Sequence, residues 1–317
     1  MSGGRTSART ETEEPPPSHG LSANYRLGMP QMLFGGISER WITKEAGDVH
    51  WRLICRDLMT PSERIVDRQG ERLYASFLRV RWEASHHLRS FSEGESLQLN
   101  ASTSRFAERR YFSNLRFSAA DGRVIEMTLN SAFVSRASDN KSLAKSAPRG
   151  IERARSPSAP KLPAFGEQYQ LVKLRSTSGQ VLAPGPFAVL AQEAFEWTDD
   201  VVFSTEYHIN PYHDLNGVNL LYFASYHRIH DVCERLYLNQ RPDLLASPAD
   251  WALQAAPVAR DVFFYGNADC GQRLLFRLHS CEVRPGGRVK LYSALYRADD
   301  GVRIADIFTV KNLIGMR

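Results

Sequence analysis

Apolar residues fall into helical register shortly after the glycine pair Gly35-Gly36. Ile42, Ala46, Val49 and Leu53 follow one another at intervals of 4, 3 and 4, which places them on one helical face. Ser38 precedes them and is a residue type favoured at an N-cap. A helix is therefore predicted over ERWITKEAGDVHWRLICRDL, 39–58. Four strand-like runs come next: LYASFLRV from Leu73, ESLQLNAST from Glu95, RRYFSNLRFS from Arg109 and RVIEMTLNSAFV from Arg123. Asp121-Gly122 between the last two is a hairpin signal.

The second half repeats the pattern. VVFSTEYHIN from Val201 reads as a strand, and the turn Asn216-Gly217 is expected to open a helix over VNLLYFASYHRIHDVCERLYL. The first two turns of that helix, Val218 to Ala224, are apolar in nearly every direction, as expected of a helix wrapped by a sheet. Four more strands are predicted from Ala259, Gln272, Arg288 and Val302, with turns at Gly286-Gly287 and Asp300-Gly301. One long helix followed by an antiparallel meander, occurring twice, predicts an α+β fold of tandem hot-dog type. Helices do not alternate with strands, which disfavours a parallel α/β sheet.

Composition sharpens the boundaries. At 317 residues, the chain has room for two cores of ordinary size, ~100–150 residues each. Residues 1–22 are polar and read as a disordered tail, followed by a first domain over 23–136. The stretch 137–163 has few large apolar residues and is expected to be a mobile linker, dispensable for folding, ahead of a second domain over 164–317. Between Arg136 and Lys161 lie seven basic and two acidic residues, an excess equal to the net charge of +5 of the entire chain. Positive charge gathered in a linker, and not spread over a folded face among aromatics, argues against nucleic-acid binding. No apolar run approaches the ~20 residues that span a bilayer. The N-terminus lacks a secretory h-region, and the four cysteines lack CxxC spacing, so a cytoplasmic protein with reduced thiols is expected.

The segment INPYHDLNGVNLLYFASYHRIHDVCERLYL, from Ile209, resembles the start of the central helix in 4-hydroxybenzoyl-CoA thioesterase-type hot-dog enzymes. Asp214, Gly217, Tyr226 and Asp231 stand where those enzymes carry their motif, and the resemblance makes Asp214 a nucleophile or general base. A longer resemblance joins GMPQMLFGGISERWITKEAGDVHWRLI from Gly28, NPYHDLNGVNLLYFASYHRIHD from Asn210 and RDVFFYGNAD from Arg260. Together these resemble a double hot-dog family of polyketide biosynthesis, founded by the leinamycin acyltransferase/decarboxylase. That resemblance implies a methylmalonyl-type CoA ester that acylates an enzyme tyrosine, loses CO2 and passes to an acyl carrier protein. The implied substrates are an acyl-CoA and a phosphopantetheine thiol, with no further cofactor, and either a monomer or a homodimer is compatible with it.

Such chemistry needs a nucleophile, oxyanion donors and a place for the departing carboxylate. No GxSxG elbow is present. Tyr74 in GERLYASF matches the tyrosine position best; its plain alternative is a strand aromatic. A phenol has an ordinary pKa near ~10, so attack at neutral pH needs help from its surroundings. Gly217 and Val218, read as a helix N-terminus, are the expected oxyanion donors. Asn210 and Asn216 are candidate polar contacts, or a turn residue and a cap, and Asp214 is either a base or a turn aspartate. Gly35 and Gly36 are the corresponding candidates before the first helix. His227, His230, Asp231 and Glu234 have metal-like spacing, but the exposed face of a helix is the expected role and no metal is predicted. The alternatives to acyl transfer are a thioesterase using Asp214 and a non-catalytic module that binds acyl chains or carrier proteins.

Overall fold

A computed structural model of the chain describes residues 20–136, 143–178, 187–241, 243 and 248–314. The first half holds β1 (Gly20–Arg26), the short pair β2 (Met32–Leu33) and β3 (Gly36–Ile37), and α1 (Glu39–Leu58). The meander β4 (Leu73–Ala84), β5 (Ser96–Phe106), β6 (Arg110–Ala119) and β7 (Val124–Arg136) follows. Next come β8 (Leu143–Lys145), α2 (Ala164–Ser178) and the hairpin β9 (Ala188–Leu190) and β10 (Glu193–Phe195). The second half has β11 (Phe203–His208), α3 (Pro211–Asp214), α4 (Tyr226–Leu238) and α5 (Pro248–Gln254). It ends in β12 (Ala255–Phe264), β13 (Arg273–Arg284), β14 (Arg288–Arg297) and β15 (Arg303–Leu313).

The long strands join in one antiparallel sheet of order β1-β5-β6-β7-β4-β12-β15-β14-β13-β11, with β8 added beside β7. The order reads the same from either edge once β1, β4, β5, β6 and β7 are matched with β11, β12, β13, β14 and β15. The two halves are thus related by an internal pseudo-two-fold at the β4–β12 seam, where Val80 pairs with Val262. At this seam Arg79 and Asp261, both fully buried, form a bidentate pair with bonds of 2.9 and 2.6 Å. The Arg79 guanidinium lies between the rings of Phe165 and Phe263, 4.0 and 4.4 Å from their centroids. Planar stacking and a double hydrogen bond are what a buried guanidinium needs to offset its desolvation.

Each half wraps one face of the sheet around a helix. Ser38 caps α1 by accepting from the Trp41 N–H at 3.2 Å. Ile42, Ala46, Val49 and Leu53 are all buried against the sheet, as their spacing predicts. The opposite face differs between the halves. Behind the second half it is covered by α2 and the β9–β10 hairpin, where Tyr169, Phe187 and Phe195 pack on Phe263, Tyr292 and Phe308. Neither α2 nor that hairpin is foreseen from the sequence.

Two boundaries need correction. The segment expected to be a free linker is laid onto the first half from Leu143 onward; residues 137–142 lie outside the described ones. β8 pairs with β7, and Ile151 is buried among Ile54, Tyr111 and Phe133. Asp57 accepts from the Ser156 N–H at 2.6 Å and from the Tyr111 hydroxyl at 2.6 Å, and the Ala159 N–H donates to the Arg105 carbonyl at 2.7 Å. One buried isoleucine and backbone hydrogen bonds hold the segment while most of its charged side chains stay in water. The tail is likewise shorter than 1–22: β1 begins at Gly20 and Leu21 is buried, and residues 1–19 lie outside the described ones.

Candidate active site

The clearest departure from expectation sets the geometry of the site. The second central helix starts at Tyr226, not at Val218. Asn216 prevents an earlier start, because its Oδ1 accepts from the N–H groups of Val218 at 3.1 Å and Leu220 at 3.0 Å. Asn219 adopts a left-handed conformation at φ 61°, which an L-residue in a helix does not take. An isolated bridge joins Leu215 to Leu221, and the Leu221 N–H donates to Asn267 Oδ1 at 2.9 Å. The apolar residues here are buried by a folded loop and a single 3-10 turn, Phe223–Ser225. Phe223 crosses into the first half, 4.1 Å from the Phe77 ring centroid. It lies over Gly47, where an added Cβ would come within 2.5 Å of the ring.

This loop roofs a cleft of about 150 Å3 at the junction of the halves. Its floor is the start of β4 with Tyr74 and Phe77, its side is Trp51 of α1, and its far wall is Phe264 and Asn267. Tyr74, Asn216 and Val218 therefore do come together. Tyr74 is half-buried, Arg72 stands over its ring at 5.5 Å, and its hydroxyl has no hydrogen-bond partner among the described residues. Asn216 spends its Oδ1 on the loop, which leaves its Nδ2 donors without an acceptor among those residues. The described lining contains no carboxylate and no imidazole.

Other candidates take different places. Gly217 is exposed and Val218 gives its N–H to Asn216, so the pair does not form a helix-terminal oxyanion hole. Asn210 caps α3 by accepting from the Tyr212 N–H. Asp214 is fully buried and lies outside the cleft lining. Its Oδ2 accepts from the Tyr207 hydroxyl and the Asn210 N–H, both at 2.8 Å, and its Oδ1 pairs with the Arg228 guanidinium. Burial, then the hydrogen bond to Asp214, raises the Tyr207 phenol well above its ordinary value. With three donors on its two oxygens, Asp214 fastens the loop to α4. Gly35 turns the β2–β3 hairpin in the left-handed region, at φ 83°. Gly36 is buried against the backbone of Leu88 and Arg89, which an added Cβ would overlap at 2.4 Å. Neither glycine lines the cleft.

The histidine-bearing face of α4 is interior, not exposed. His230 and Glu234 are almost wholly buried and His227 nearly so. Lys311 of β15 bonds Glu234 at 2.7 and 2.8 Å and Asp231 at 3.2 Å. Arg260 of β12 bonds Asp231 at 3.0 Å and Glu39 of α1 at 3.1 Å. Burial alone would raise the Glu234 carboxyl, but Lys311 and His230 outweigh it and hold it at about 2. Burial lowers both imidazoles. The candidate ligand atoms of His230, Asp231 and Glu234 lie within 4.8 Å of one another, yet the Lys311 ammonium already supplies their counter-charge.

Asn267 and Trp51 are cleft residues that sequence reasoning did not single out. Asn267 sits in RDVFFYGNAD, a segment that carries the family resemblance, so a signal for it was present. Trp51 gives none, since nothing in the sequence separates it from Trp41, the other tryptophan of α1.

No family model matches the chain, and no curated protein sequence matches it. Solved structures do. A protein named as an oleoyl thioesterase from Lactobacillus plantarum is 14% identical, over 94% of this chain and 97% of that one, at a TM-score of 0.62. An acyl-ACP thioesterase from Bacteroides thetaiotaomicron VPI-5482 is 9% identical, over 93% and 98%, at 0.54. The 12:0-ACP thioesterase from Umbellularia californica is 8% identical, over 93% and 97%, at 0.54. At these identities the likeness speaks to architecture, and it agrees with the pseudo-symmetric sheet: the chain has the tandem hot-dog fold of the α+β class.

Proposed function

We propose that the chain acts on an acyl thioester in the cleft between its halves, as an acyltransferase with Tyr74 as acyl acceptor. The observation that carries this reading is the Tyr74 hydroxyl, unpartnered among the described residues, in a cleft whose described lining offers no base for water. The phenol oxygen attacks the thioester carbon of a (methyl)malonyl-type CoA ester. The C–S bond breaks, and the phenol proton ends on the departing CoA sulfur. Loss of CO2 leaves an enolate, which the Asn216 amide donors stabilise and a proton from solvent quenches. The phosphopantetheine thiol of an acyl carrier protein then takes the acyl group and returns the proton to Tyr74. A cleft of about 150 Å3 lies below the ~300–1,000 Å3 of typical small-molecule sites, which suits a short acyl group.

A second reading, hydrolysis of an acyl-CoA or acyl-carrier thioester, is favoured by the thioesterase names of the three structural neighbours described above. Methylmalonyl-CoA supplied with a carrier protein separates the two, through the acylated carrier and free acid that form. Transfer predicts acylated carrier, abolished in Tyr74→Phe. Free acid that vanishes in Asp214→Asn, with the fold intact, would establish hydrolysis instead. Neither product, with binding retained, would leave a non-catalytic acyl-binding module.

A further inference from the structure

The internal pseudo-two-fold requires a counterpart to the Tyr74 cleft, and the counterpart is the larger of the two. It opens between the start of β12, the start of α1 and the outer turn of α4, with a volume of about 650 Å3. Ala255 and Pro257 of β12 line it where Ala75 and Phe77 of β4 line the first cleft; each pair is separated by 180 positions in the chain. One wall is apolar: Met32, Leu33 and Phe34 of the β2–β3 hairpin, Leu88 and Trp251. Leu33 and Phe34 are 65% and 57% exposed, so the hairpin offers water a greasy rim.

The other wall is cationic. Its acids are already engaged, Glu39 by Trp82 and Arg260, Asp231 by Arg260 and Lys311, Glu234 by Trp251 and Lys311. Arg235 lines the same cleft, exposed and without a partner among the described residues. Among the described residues Arg40 makes only a long bond, 3.4 Å, to the His213 carbonyl. A site with spare guanidinium donors on one side and apolar walls on the other selects an amphipathic anion.

We infer that this cleft is a second binding site, distinct from the Tyr74 cleft, for an acyl chain of medium length carrying an anionic head. The head pairs with Arg40 and Arg235, and the chain lies under Phe34 and against Trp251. The head is either the carboxylate of a free fatty acid or the phosphates of a CoA ester. The inference rests on the pseudo-symmetry and on the charge balance of this wall, and it stands whether or not Tyr74 is the acyl acceptor.

Calorimetric titration of the full chain with decanoate and with decanoyl-CoA tests it. Phe34→Asp and Arg235→Glu change exposed side chains, so both variants should melt like the parent, and each should weaken binding by about tenfold or more. Tyr74→Phe should leave decanoate binding unchanged. Decanoate binding that is lost in the two rim variants identifies the free acid as ligand. Binding of decanoyl-CoA alone, lost in the same variants, identifies the thioester. Failure of both probes to bind overturns the inference, as does binding that survives Phe34→Asp and Arg235→Glu but falls in Tyr74→Phe.

Discussion

The two halves place a histidine at the same turn of their central helices and surround it differently. His50 of α1 and His230 of α4 lie 180 positions apart and both are wholly buried. His50 is held between two hydroxyls, Ser113 and Ser131, each at 2.7 Å, and burial pushes its imidazole down to about 3. His230 keeps the corresponding serine, Ser293, at 2.8 Å. Where the first half has Ile54 and Ser131, however, the second has Glu234 and Lys311. These differences, with Asp231 and Arg260 where the first half has Trp51 and Val80, turn a neutral, hydrogen-bonded interior into an ionic one beneath the larger cleft. The frame tolerates either solution, provided each buried charge arrives with its partner.

The largest effect should come from separating those partners. Lys311→Ser imports the first half's residue but leaves Glu234 buried without its ammonium, and should cost about 3–5 kcal/mol in urea unfolding. Glu234→Ile with Lys311→Ser removes both members of that pair and should recover most of that loss. A double variant no more stable than Lys311→Ser would mean that the two halves do not obey one packing rule.

Next in size is the segment that joins them. Ile151→Ala should destabilise by about 2–3 kcal/mol, within the usual range for a truncated buried aliphatic. An unchanged melting temperature would return the segment to the status of a free linker. The smallest effect at neutral pH is expected of His50→Gln, whose amide can still bond the two serines. Its signature is pH-dependent. Below the unfolded value of 6.5, the unfolded chain takes up a proton that folded His50 refuses until about pH 3. Stability contributed by neutral His50 is therefore lost as pH falls from 6.5 towards 3. The variant should show a flatter stability curve across that window; equal slopes in parent and variant would remove His50 from the account.

Most of the fold was legible because it rests on local pattern. The spacing of Ile42, Ala46, Val49 and Leu53 and the cap at Ser38 predict α1 over its observed span. The alternating runs from Leu73, Glu95, Arg109 and Arg123 predict β4 to β7 within a few residues. The start of α4 was not legible. An apolar run such as Leu220–Ala224 suits a helix and a buried loop equally well, and side-chain capture by Asn216 decides between them. The histidines misled for a related reason. Nothing local in α4 announces that Arg260 and Lys311, on distant strands, make a polar face a buried one. In the cleft, Tyr74, Asn216 and Val218 were identified. The bonds that hold Asp214 were not legible, because they come from Tyr207 and Arg228, whose meeting requires the folded chain.

The central claim is that Tyr74 accepts the acyl group, and intact-protein mass spectrometry tests it most directly. Full-length protein and Tyr74→Phe are incubated with methylmalonyl-CoA and weighed before any carrier protein is added. The phenylalanine variant lacks only one oxygen, and because that hydroxyl has no partner among the described residues its fold should be unaffected. The account predicts an acyl mass increment on the parent, mapped to Tyr74 by peptide analysis, and none on the variant. An equal increment on Tyr74→Phe, or acyl transfer to carrier at the parental rate without any adduct, would contradict it.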